Sequence, residues 1–126
     1  LRDFPILSPS SVDAALVAVA AHNQFTGDKF WEFHRKLMSE HGMIGKEQAL
    51  AVAKGMGADM KKLEADAASP AVRKSIQSSL TIAKNLSLNG TPTYVLGNDV
   101  LVGAVGFGQI NDTIVNVRKC GKAACS

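Results

Sequence analysis

Cysteine is nearly absent from this chain, and no C-x-x-C pair occurs anywhere in its 126 residues. The two cysteines, Cys120 and Cys125, have four residues between them in "KCGKAACS". No helix is expected to start at the first of them, so the usual means of stabilising a reactive thiolate is missing. Aromatics are also scarce, at 6%, too few for a platform on which nucleic-acid bases would stack. The 14 basic and 11 acidic residues give a formal charge of only +3 and never gather into a long run of one sign. That pattern excludes the electrostatic footprint of a nucleic-acid or anionic-membrane binder. The longest alanine-valine run, "AALVAVAA", is far short of the ~20 residues that span a bilayer. No G-x-S-x-G or phosphate-loop pattern is present, so serine nucleophiles and nucleotide binding find no support. The three histidines are His22, His34 and His41. His34 and His41 are too far apart to share one ion on a helix face, and no metal or other cofactor is expected. His34 reads as a packing residue beside Phe30 and Trp31.

What is present is a mildly hydrophobic chain, 46% apolar and 20% charged, of a size suited to one domain over residues 1–126. "LRDF" before Pro5 reads as a short strand, because the residue ahead of a proline is pushed to extended geometry. Ser10 or Ser11 is expected to cap a helix over about 11–25, with Thr26-Gly27-Asp28 as a break. "KFWEFHRKLMSEH" and "KEQALAVAKGM" follow as second and third helices. Asp59 caps a fourth, and Ser69-Pro70 opens a fifth over about 70–86. After Asn89-Gly90 come Thr91-Pro92, a strand "TYVL", a turn at Gly97-Asn98-Asp99, a second strand, and a last helix over about 107–119. Residues 8–88 are thus a helical block between a first strand and a hairpin-plus-helix unit at 91–119.

Pro92 is the informative residue. A proline cannot donate to a β-ladder, so its position at the mouth of a strand calls for a reason. Taken alone, Thr91-Pro92 reads as a trans proline opening an edge strand, since cis bonds are a small minority even before proline. A cis bond would instead turn the chain and present the Thr91 backbone outward.

The order of elements, with "RDFPIL", "SVDAALVAVAAHNQ", "GDKFWEFHRKLM" and the run "SPAVRKSIQSSLTIAKNLSLNGTPTYVLGNDVLVGAVG", resembles the DsbA-like family of thioredoxin-fold thiol–disulfide oxidoreductases. The resemblance runs over about residues 2–118, ending in "INDTIVNV". It implies an α/β thioredoxin-like fold with a helical insertion, and it implies that Pro92 is the family's cis-proline, with Thr91 before it as the substrate-binding residue. The implied partners are extended polypeptides containing cysteine and a redox partner protein, in a periplasmic or secreted setting.

Departures from the family pattern are as informative. The family places its C-x-x-C at the start of its first helix, where the helix dipole lowers the thiol pKa. By the resemblance, this chain begins at the second strand. It lacks the first strand and the start of the active-site helix, so no catalytic residue is assigned within it. The chain is then expected to be part of a longer parent, and to be inactive by itself as a dithiol oxidant. A sheet missing a strand leaves an edge unpaired, which favours self-association; strand exchange between copies or a rearranged helical block would also cover the gap. Leu1 in place of Met agrees with a cut upstream. Two other readings stay open: a peptide-binding module without redox chemistry, and a glutathione-dependent isomerase or transferase of the same fold. For Cys120 and Cys125 the reading is a structural disulfide closing a C-terminal loop in an oxidising compartment. Free thiols and a redox role are the alternatives, while zinc would need two further ligands that the nearby sequence does not supply.

Overall fold

Serine followed by proline starts two of the six helices. In the computed structural model, which describes residues 1–126, helix α1 spans Pro9–Ala21 and α5 spans Pro70–Asn85. Ser8 is extended, and its Oγ accepts the Ser11 N–H at 3.3 Å. Ser69 Oγ accepts the Val72 N–H at the same distance. Proline loses nothing at a first helical position, because the N–H it lacks would have no partner there. This corrects the expected cap at Ser10 or Ser11 and the helix over 11–25: the Ser-Pro signal at 8–9 starts the helix earlier. Its end comes earlier too, because the residues after Ala21 take tertiary partners. Asn23 Nδ2 donates to Asp66 Oδ2 at 3.1 Å. Gln24 donates to the Asp59 carbonyl at 3.0 Å and accepts the Asp59 N–H at 2.8 Å.

Helix α2 covers Gly27–Met38, α3 Lys46–Gly55 and α4 Met60–Ala67. The expected break at 26–28 is instead the start of α2, with Thr26 as the extended residue before it. Asp59 caps α4 by accepting the Lys62 N–H at 3.0 Å. Gln48 Oε1 reaches back to the Gly45 N–H at 3.0 Å and satisfies a donor that the first turn of α3 leaves open.

The chain divides into two units, Leu1–Ile82 and Ala83–Ser126. In the first, α1 packs on α3 and α4, and α2 packs on α3. Ala14, Ala18 and Ala21 of α1 and Ala49 and Ala53 of α3 are all buried in one cluster, small side chains that let helix backbones approach closely. Phe25, Phe33, Leu63 and Val17 are its largest fully buried side chains.

In the second unit, β1 (Thr93–Leu96) pairs antiparallel with β2 (Asp99–Val102), Thr93 opposite Val102 and Leu96 opposite Asp99. The connection is the two-residue turn Gly97-Asn98; Asp99 already belongs to β2. Helix α6 (Phe107–Cys120) packs against β1. One expected element is not formed: "LRDF" carries no strand. A strand exists only as part of a ladder, and the sheet here consists of β1 and β2 alone.

Candidate functional site

Residues Leu86–Pro92 carry the chain from α5 into the hairpin. Thr93 Oγ1 donates to the Gly90 carbonyl at 2.6 Å and fastens the loop from its strand side. Gly90 lies close to β2: a Cβ there would sit 3.2 Å from Val102 Cγ1. The Thr91–Pro92 peptide bond is cis. The Pro92 carbonyl accepts the Gly103 N–H at 2.7 Å, which prolongs the β1–β2 pairing by one bond. Thr91 is treated differently. It is exposed, and neither its N–H nor its carbonyl is bonded to another part of the backbone. Thr91 therefore offers one donor and one acceptor beside a two-stranded sheet.

Cys120 and Cys125 are joined in a disulfide, and the chain holds no free thiol. The bond lies at the other end of β1 from Thr91 and Pro92. Gly121 leaves α6 in the left-handed conformation, and its N–H bonds to the Val117 carbonyl at 2.9 Å. The loop then reaches the hairpin turn, where the Ala123 N–H donates to Asn98 Oδ1 at 3.0 Å. Four strand residues at ~3.3 Å each put roughly 13 Å between this turn and the Thr91–Pro92 loop. The structure thus places the two sets of residues singled out in the sequence on one unit without merging them into one site.

A second cluster lies in the first unit and was only partly legible in the sequence. The His22 ring stacks on Phe30 with centroids 3.4 Å apart, and His34 lies edge-on to Trp31 at 5.8 Å. This is the packing role expected for His34. The missed member is Asp3. Burial pushes its carboxyl above the ordinary aspartate value of 3.8, opposed by the nearby positive charge of His34, His22 and the chain's amino end. Desolvation likewise holds His22 below its ordinary 6.5. No spacing rule links position 3 to positions 22 and 34, so only the fold brings them together. No three His, Cys, Asp or Glu side chains are placed to share a metal ion.

The raised Asp3 value has a definite sign. A carboxyl whose folded pKa exceeds its unfolded one contributes stability below the unfolded value, and that contribution is lost as pH rises through the folded value. Asp3→Asn keeps the shape and removes the titration. Its urea midpoint is expected to exceed that of the parent at neutral pH, and the gap to close as pH falls toward 3.8. A variant that is less stable than the parent at neutral pH would show that the Asp3 charge is stabilising and refute this account.

A family model described as a DSBA-like thioredoxin domain matches residues 3–115. Among solved structures, a thioredoxin-like oxidoreductase from Silicibacter pomeroyi DSS-3 is 34% identical with a TM-score of 0.85, covering 94% of this chain and 67% of its own. The thiol-disulfide exchange protein alpha-DsbA2 from Wolbachia pipientis is 26% identical with a TM-score of 0.81, over 92% of this chain and 63% of its own. Proteus mirabilis ScsC, in a compact conformation, shares the fold at 22% identity and a TM-score of 0.79, over 95% of this chain and 65% of its own. This chain spans about two thirds of the length of each of them. No curated protein matches it.

Proposed function

Because the chain belongs to the DSBA-like thioredoxin domain family, we propose that it serves thiol–disulfide exchange on extended, cysteine-containing polypeptides, with Thr91 and Pro92 as the docking edge. The observation that carries this reading is the unpaired, exposed backbone of Thr91. A peptide that pairs with it gains main-chain hydrogen bonds, which tolerate varied side chains. Such tolerance suits an exchange protein that meets many substrates.

The dithiol of this reading is one that these 126 residues do not contain, since Cys120 and Cys125 are bonded to each other. The chain by itself then binds substrate without oxidising it, and electrons pass through a C-x-x-C elsewhere, with a separate redox protein resetting it. An oxidising compartment, periplasmic or secreted, suits the disulfide. No helix is long and apolar enough to cross a membrane. With two strands only, β1 keeps one edge without a neighbour, and Val95, Val100 and Val102 are exposed nearby. Pairing between two copies along that edge belongs to the same reading.

The test is peptide binding followed by fluorescence anisotropy, using an extended peptide whose cysteine is replaced by serine. Thr91→Pro removes the N–H and leaves the carbonyl. One net hydrogen bond of about 0.5–1.5 kcal/mol corresponds to roughly twofold to tenfold weaker binding. An unchanged affinity with an unchanged circular-dichroism spectrum would remove Thr91 from the docking edge.

A further inference from the structure

The disulfide has a feature that a plain structural crosslink does not need. Cys120, at the last position of α6, is exposed, so a thiolate in solution can reach its sulfur without unfolding anything. Lys119 and Lys122 flank it in sequence and supply positive charge that favours an approaching thiolate. Each sulfur also faces a backbone carbonyl. Cys120 Sγ is 3.6 Å from the Lys122 oxygen, and Cys125 Sγ is 3.4 Å from the Asn116 oxygen. On reduction, each new S–H therefore has an acceptor already in place, and the reduced form is accommodated in the same fold.

The ring closed by the bond holds Ala123, and Ala123 is the residue of that ring that hydrogen-bonds to the hairpin turn. Its carbonyl accepts from Asn116 Nδ2 at 2.9 Å, and its N–H donates to Asn98 Oδ1 at 3.0 Å. The covalent ring thus restricts the loop in the position from which it grips the Gly97-Asn98 turn. Opening the ring returns conformational freedom to that loop and weakens the grip.

We propose that Cys120–Cys125 is a second, reversible redox site, reduced in the folded protein by small dithiols, whose state sets how firmly the C-terminal loop holds the β1–β2 turn. One thiolate of the dithiol attacks the exposed Cys120 sulfur. The S–S bond breaks, and Cys125 leaves as a thiolate that takes a proton from solvent. The second thiol of the reductant attacks the mixed disulfide, freeing Cys120 and closing the reductant into its own disulfide. Two electrons pass from the dithiol to the protein, and glutathione disulfide reverses the change.

Reduction of the native protein with dithiothreitol, followed by a maleimide that adds visible mass, counts the exposed thiols. The expected result is that both cysteines are labelled without denaturant and are protected again after glutathione disulfide is added. Amide exchange at Asn98–Leu101 should quicken on the order of tenfold on reduction, with α1–α4 unchanged. Lys122→Gln should slow reduction at low ionic strength, and added salt should erase the difference. The proposal is overturned if the bond yields only in denaturant, or if the reduced protein shows unchanged hairpin exchange. Neither Thr91 nor a peptide enters these measurements, so failure here is distinct from failure of the docking reading.

Discussion

Phe33→Ala should remove about 3–5 kcal/mol from the unfolding free energy, the usual cost of truncating a fully buried aromatic ring. Phe33 is 1% exposed and meets Phe25 with ring centroids 5.6 Å apart, at a tilt of 45°. Phe30, Phe33 and Leu37 are the buried residues of α2, so its attachment to the helical core rests on few side chains. A domain of ordinary stability has about 5–15 kcal/mol in total, so this one change consumes a large part of it. Urea denaturation followed by Trp31 fluorescence measures it, because Trp31 lies on the same helix. Trp31→Phe is the contrast, read by circular dichroism: Trp31 is 46% exposed, and its loss should cost well under about 1 kcal/mol, as for a surface substitution. Equal losses in the two variants would mean that the core does not lie where the packing places it.

Gly97→Ala should be the most damaging single-atom addition in the hairpin. Gly97 has φ +62°, a conformation that costs an L-residue ~1–2 kcal/mol. A Cβ there would also sit 2.8 Å from Val117 Cγ2 on α6 and 3.4 Å from the Gly121 carbonyl. Overpacking of that kind adds ~1–3 kcal/mol, for a total of about 2–5 kcal/mol. The two causes can be separated with Val117→Ala, which deletes the clashing Cγ2 methyl and leaves the backbone conformation alone. In a double-mutant cycle, the steric part should appear as a favourable coupling between the two substitutions, while the conformational part remains. Additive losses would place the whole effect in the backbone. Amide exchange on β1 and β2 reads the hairpin directly and tells local loosening from global unfolding.

The particular elements show where sequence reading succeeds and where it stops. Asp59 before α4, Ser69-Pro70 before α5 and a hairpin turn beginning at Gly97 were legible because each depends on neighbours within a few residues. A side-chain oxygen near an unpaired N–H, or a residue free of a Cβ, does its work locally. The same logic could have found Ser8-Pro9, a signal identical to the one at 69–70. The end of α1 could not be read, because it follows from Gln24 bonding the backbone of Asp59, 35 positions away. The strand expected at "LRDF" failed for a related reason: extended propensity is local, but a ladder needs a second strand.

By itself, then, the sequence determined the starts of α3 to α6, the hairpin, the position of Thr91-Pro92 ahead of a strand, and the absence of a C-x-x-C. These follow from short-range sterics, from capping and from composition. Only the tertiary structure decided that the Thr91 backbone is left unpaired, that Asp3 joins His22 and His34, and that the disulfide loop grips Asn98. Each of these depends on which distant groups become neighbours, and that is set by packing of the whole unit, not by any local preference.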